Sequence, residues 1–232
     1  MNRSTTTVIF DVEGTLVDCV PQTLESWRQS LAESGHSFRR DELQPYSGMD
    51  GEEMLDGLLP ALSKEGRQSI AKRQGELYRD QHLRAVRPFE GVRRVFVALK
   101  RAGLALAIAT TCTRDELAVY DKQMRVLALT DVVTCGDDVP HGKPHPDLFR
   151  AVLKKLRVTE PSEVLTLGDT PYDARAASAL GLEPVGVLTG GFSRDALLFA
   201  GCSCVLDGVR ALVPHVASTF LTTSPALQSA SK

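Results

Sequence analysis

Two carboxylates, Asp11 and Glu13, stand two residues apart in the segment VIFDVEGTLVDCV, directly after a short apolar run of β-strand character. Held that close they repel each other, unless a cation or a shared proton-transfer task accounts for the pair. Other polar residues end or follow apolar runs in the same way. They are Thr110 after LALAIA, Lys143 in HGKPHP downstream of DVVTC, and Asp169 with Asp173 after VLTLG. Together the run ends supply several acids, a hydroxyl and an ammonium. That mixture suits phosphoryl transfer, in which a hard cation and fixed donors neutralise charge on the phosphoryl oxygens.

These groups meet only if the runs lie side by side. TTTVIF, LALAIAT, DVVTC, SEVLTLGD and EPVGVL are short, apolar and rich in β-branched residues, with helical patterns between them. Strands alternating with helices predict an α/β fold, a doubly wound parallel sheet whose post-strand loops gather at one edge. In PDLFRAVLKKLRV the apolar residues Leu148, Val152 and Leu156 recur every four positions, and Pro146 stands where a first helical turn tolerates it. Thr113 with Glu116 forms a capping-box pattern for a second helix, and Thr170, Pro171 and Gly181 bracket a third.

Between the first strand and Pro88 no strand-like run occurs. The stretch reads as helices punctuated by Gly35, Gly48 and Gly51, with Leu24, Trp27 and Leu31 on the apolar face of the first. The expected organisation is a core from residues 1–16 and 88–218, an inserted helical cap over 17–87, and a polar, disordered tail over 219–232. The Gly48–Gly51 turn either reaches the active site as a specificity loop or is an ordinary interhelical turn.

Composition narrows the function classes. The chain has 232 residues, 43% hydrophobic and 24% charged, with a net charge of -2, which is the profile of a globular protein. Without a basic run it lacks the footprint of a nucleic-acid binder. No apolar stretch approaches a membrane span, since Arg101 and Arg114 bracket LALAIATTC. MNRSTTTVIF lacks the apolar segment of a secretory signal, so the cytoplasm is the expected location. Five cysteines at irregular spacing suit reduced thiols, and Cys202 with Cys204 lacks the second Cys/His pair of a structural zinc site. His141 and His145, which flank Lys143, are read as loop polarity or substrate contacts rather than metal ligands. Neither GxGxxG nor a P-loop occurs, so nucleotide binding through those loops is unsupported.

DVEGT, the apolar run ending in Thr110, GKPHP and GDTPYD occur in the order and context of the four motifs of the haloacid dehalogenase superfamily. The match spans nearly the whole chain and looks most like the phosphoglycolate-phosphatase-like branch with its helical cap. The resemblance implies Asp11 as a nucleophile that forms an aspartyl-phosphate. It implies Mg²⁺ held by Asp11, the backbone carbonyl of Glu13 and Asp169, with Asp173 holding metal-bound water or orienting Lys143. Thr110, Thr111 and Lys143 would grip the phosphoryl oxygens, backbone N–H groups of the VEGT turn would add to that cradle, and Gly48 would contact substrate.

Glu13 departs from the family pattern, which in most phosphatases has Asp as the general acid and base at this place. Alanine or an aromatic residue there belongs to the phosphonate- and carbon–halogen-cleaving branches. Glutamate keeps a carboxylate with an ordinary pKa only about 0.4 unit higher, though its added methylene shifts the reach. The enolase-phosphatase branch shows a similar D-x-E-G-T pattern. The favoured reading is a Mg²⁺-dependent phosphatase of a small phosphorylated metabolite, monomeric or homodimeric, with no nucleic-acid or membrane partner. The alternatives are a phosphoglucomutase-like phosphoryl transferase and a regulatory protein that has lost turnover.

Overall fold

The structure, a computed structural model, describes residues 5–220. The tail expected at 219–232 lies, from residue 221 on, outside the described residues.

Six strands form one parallel sheet: β1 (Thr7–Phe10), β4 (Ala105–Ala109), β5 (Val132–Thr134), β6 (Val164–Gly168), β7 (Glu183–Val187) and β8 (Cys204–Leu206). The spatial order is β5-β4-β1-β6-β7-β8. The chain moves outward from β1 to β5, then crosses back to β6 on the other side of β1. The crevice beyond the carboxyl ends of β1 and β6 is therefore the topological switch point, where ligands of such sheets bind. Register places the chemistry there. Phe10 lies opposite both Ile108 and Leu167, so Asp11, Thr110 and Asp169 leave the sheet at nearly one level.

Alternate residues of β1 enter opposite layers, as the twofold period of a strand requires. Val8 and Phe10 join a core with Phe96, Leu99 and Leu117, from α5 (Val92–Arg101) and α6 (Arg114–Met124). Ile9 instead meets Leu148, Phe149 and Val152 of α7 (Asp147–Leu156) and Ala176 of α8 (Pro171–Ser178). Two further helices, α9 (Arg194–Phe199) and α10 (Leu212–Phe220), complete the covering of the sheet.

Between β1 and α5 lie α1 (Val20–Glu33), α2 (Arg40–Leu43), α3 (Gly51–Leu58) and α4 (Lys64–Gln81). They share a separate apolar cluster that includes Leu24, Leu31, Leu43, Leu55 and Ile70, with Trp27 packed against it. A short antiparallel pair, β2 (Val17–Asp18) with β3 (Arg87–Pro88), ties the two chain crossings together where no strand-like run was expected. Polar contacts bind the helical layer to the sheet. Asp50 accepts from Gly142 N–H through Oδ2 (3.2 Å) while its Oδ1 caps α3, and Asp50 N–H donates to Lys143 O (2.8 Å). Gln44 Nε2 donates to Gly190 O (2.9 Å), and Tyr172 OH donates to Pro45 O. Among the described residues no helix is long and apolar enough to cross a membrane.

Candidate active site

Asp11 leaves β1 with its N–H donating to Leu167 O of β6 (2.9 Å), which fixes its main chain to the sheet edge. Asp169 leaves β6. Asp173 lies in the first turn of α8, where it forms a capping box with Thr170, whose hydroxyl donates to Asp173 Oδ2 (2.6 Å). Lys143 arrives on the loop between β5 and α7. All four side chains are buried. Lys143 Nζ is ion-paired with Asp11 Oδ1 and lies 2.6 Å from Asp173 Oδ1. Asp11, Asp169 and Asp173 each bring a carboxylate oxygen within 4.8 Å of the others.

Burial opposes the charges of Asp11, Asp169 and Lys143. It raises the Asp11 carboxyl above the usual carboxylate range; Lys143 counteracts this and Asp173 adds to it. Asp169 is pushed well above that range, by burial first and then by Asp11 and Asp173. Lys143 is drawn down by burial, yet Asp11 and Asp173 outweigh that and hold its ammonium above the ordinary lysine range. Three carboxylates against one ammonium leave an excess of two negative charges when all are ionised.

The arrangement fits a hard divalent cation. Asp169 Oδ1 accepts from Thr15 Oγ1 (2.8 Å), whereas its buried Oδ2 has no hydrogen-bond partner. Two glycines keep that oxygen clear: a Cβ at Gly14 would stand 2.3 Å from it, and one at Gly190 1.8 Å. An oxygen-rich, doubly negative cluster with one oxygen free for a ligand is the donor set of Mg²⁺.

Glu13 lines the same cavity as this cluster, and its carboxylate is held from α6. Its Oε1 accepts from Tyr120 OH of α6 (3.0 Å), and Tyr78 OH of α4 lies 2.6 Å from the same hydroxyl. Burial, then the charges of Glu116 and Asp11, raise the Glu13 carboxyl to about 8, against the opposing hydrogen bond from Tyr120. The two tyrosines had no local sequence signal, because they lie 107 and 65 positions from Glu13 and meet it only through packing of α4 against α6. Thr15, by contrast, belongs to the DVEGT segment and was within reach of the same reading.

The remaining expected residues divide. Thr111, Lys143 and Gly48 line a small cavity of about 30 Å³ with Asp11, Glu13 and Asp169. The Gly48–Gly51 turn thus reaches the site. Thr110 is not among the cavity's lining residues, and its hydroxyl accepts from Cys112 N–H (3.2 Å) and contacts Cys112 Sγ. Within the VEGT turn, Gly14 N–H donates to Val17 O (2.9 Å) and Thr15 N–H to Val12 O (3.2 Å), so these two N–H groups serve the turn itself. Cys202 packs with Ala174, Leu197 and Val205, Cys204 starts the edge strand β8, and neither thiol joins a metal-type grouping among the described residues.

A family model for haloacid dehalogenase-like hydrolases matches residues 8–187. The chain belongs to this family. A phosphorylated carbohydrates phosphatase of Thermotoga maritima is 30% identical over 196 residues, covering 84% of this chain and 90% of that protein. Pyrophosphatase PpaX of Bacillus velezensis is 29% identical over 187 residues, covering 80% and 84%. A hydrolase crystal structure from Pseudomonas syringae superposes with a TM-score of 0.85 at 27% identity, over 92% of this chain and 99% of that one. The protein is accordingly a haloacid dehalogenase-like hydrolase of the phosphatase kind, a group that generally uses Mg²⁺, and the buried acidic triad stands where its four motif segments converge.

Proposed function

We propose that this protein is a Mg²⁺-dependent phosphomonoesterase that works through a phosphorylated Asp11. The observation that carries the reading is the convergence of Asp11, Asp169, Asp173 and Lys143 in one buried cluster at the switch point. Asp11, the backbone carbonyl of Glu13 and Asp169 would hold the cation, with Asp173 beside them. When bound, Mg²⁺ neutralises charge on the phosphoryl oxygens and on the carboxylates.

An Asp11 oxygen attacks phosphorus in line, the bond to the ester oxygen breaks, and Glu13 gives its proton to the departing alkoxide. Water then attacks the aspartyl-phosphate, Glu13 takes up the proton, and inorganic phosphate leaves with Asp11 restored. A glutamate with its pKa near 8 is protonated at neutral pH, as a proton donor for the first step must be. Lys143 supplies a fixed positive charge to the phosphoryl group, and Asp173 holds it in place. Thr111, on the cavity wall, contacts the phosphoryl oxygens, and Thr110 reaches them if its hydroxyl leaves Cys112. The small cavity has about the liquid volume of one water, so a phosphoryl group enters when the α1–α4 layer, acting as a cap, lifts from the sheet edge.

The direct experiment is a panel of metabolite phosphoesters with Mg²⁺, read by phosphate release. Release that EDTA removes supports the reading; metal binding without hydrolysis of any ester would favour a binding protein, and transfer to a sugar hydroxyl a phosphoryl transferase. Independently of activity, Mg²⁺ should raise the melting temperature, with about 2.7 kcal/mol of stabilisation at a concentration a hundredfold above Kd. Asp169→Asn should remove that shift. Equal shifts in both proteins would place the cation elsewhere.

The hydroxyl that holds Glu13 should matter in proportion to the need for a proton donor. Tyr120→Phe is expected to lower kcat on alkyl phosphates about tenfold, equivalent to about 1.4 kcal/mol, and to affect an aryl phosphate with an acidic phenol far less. Steady-state kinetics on the two ester types checks this; equal losses on both would indicate a structural role.

A further inference from the structure

A second cavity, of about 270 Å³, opens between the helical layer and the sheet edge, and Glu13, Thr23, Gly48 and Thr111 line both it and the small acidic cavity. A group esterified to the phosphoryl at Asp11 has room to extend past Glu13 into this space, with which the small cavity shares four lining residues. Its charge pattern selects what that can be. The charged side chains lining it are Glu13 at the inner end, Glu116 and Arg79. Glu116 is buried and fixed in place: its Oε2 accepts from Thr113 N–H (2.9 Å), and its Oε1 lies 3.5 Å from Arg79 Nη1. The one cation among the described lining residues therefore already faces a carboxylate.

From this pattern we infer that the leaving group is an uncharged hydroxylated alcohol, such as a polyol or a single sugar ring, and not a carboxylate or a second phosphate. The inference rests on the phosphatase reading above and adds the class of substrate to it. An anionic leaving group would surrender its hydration to enter a space whose one cation, Arg79, already faces the Glu116 carboxylate, with Glu13 in its acid form at the inner end, so no free positive charge offsets that cost. A neutral polyol meets suitable partners. The Thr23 hydroxyl, at the junction of the two cavities, is buried without a hydrogen-bond partner, and the Gln74 amide and Thr113 line the larger space. Trp27 and Met49 offer apolar wall to the C–H face of a ring. The volume is about nine times that of a liquid water, which suits a small polyol or one sugar ring.

The test compares kcat/KM with Mg²⁺ for glycerol phosphate and a hexose monophosphate against phosphoglycolate and pyrophosphate, with an aryl phosphate as the control for turnover. The neutral-alcohol esters should be favoured at least tenfold. Glu116→Gln, which keeps the N3 side chain of the α6 capping box, should release Arg79 and move the ratio at least tenfold toward the anionic esters. Preference for phosphoglycolate or pyrophosphate by the wild-type enzyme, or an unchanged ratio in the variant, would overturn the inference while aryl phosphate turnover keeps the phosphatase reading standing. Absence of turnover on every ester, the aryl phosphate included, would remove that reading and this inference with it.

Discussion

Asp11→Asn should reduce Mg²⁺-dependent phosphate release by about 10⁴–10⁶-fold, the scale on which loss of a covalent nucleophile acts. The amide has the size of the carboxylate but not its nucleophilic oxygen, so the phosphoenzyme cannot form. The fold should survive the change. Lys143 retains Asp173 at 2.6 Å, so no buried ammonium is left unpaired, and one of three mutually repelling carboxylates disappears. Metal-free Asp11→Asn is therefore expected to melt no lower than the parent protein. Phosphate release measured beside the melting temperature separates a chemical loss from an unfolded sample. Undiminished release would end the assignment of Asp11.

Glu13 carries the second large effect. Glu13→Gln should cost about 10²–10⁴-fold on alkyl phosphates and much less on aryl phosphates, whose leaving groups need little protonation. Glu13→Asp should stay within a modest factor of the parent. The pH profile supplies a sharper check. A carboxyl raised to about 8 is protonated, and competent as an acid, below that pH, and loses its proton above it. The kcat/KM for an alkyl phosphate should fall on the alkaline side with an apparent pKa near 8, or somewhat lower once a cation sits beside Asp11. Glu13→Gln should abolish that limb. A parent profile flat from pH 6 to about 9 would show that Glu13 does not supply the proton.

The five strands expected from apolar, β-branched runs all occur, and the helix starts at Thr113 and Thr170 are capped as their sequences suggest. These signals are local, arising from side-chain period and hydrogen bonds three residues apart. The features that escaped the sequence are short or nonlocal. The strands β2 and β3 have two residues each, too few to show a period, and β8 is as short as β5 but has one β-branched residue where β5 has three; each exists because a neighbouring segment pairs with it. Asp11, Lys143, Asp169 and Asp173 were visible as polar residues at or after strand ends because parallel topology sends all such positions to one edge. Side-chain orientation was not. That the Thr110 hydroxyl turns to Cys112 while Thr111 lines the cavity depends on the path of one loop. The partners of Glu13 and the pairing of Arg79 with Glu116 depend on how α4 sits against α6, which no sequence period encodes.

The measurement that bears most directly on the nucleophile is the mass of the protein quenched in acid during turnover of a phosphate ester with Mg²⁺, followed by peptide mapping. The mass of one phosphoryl group added to the peptide containing Asp11, lost on standing at alkaline pH and missing from Asp11→Asn, is the predicted result. A turning-over enzyme that never carries the added mass, or carries it on a peptide without Asp11, would contradict the account.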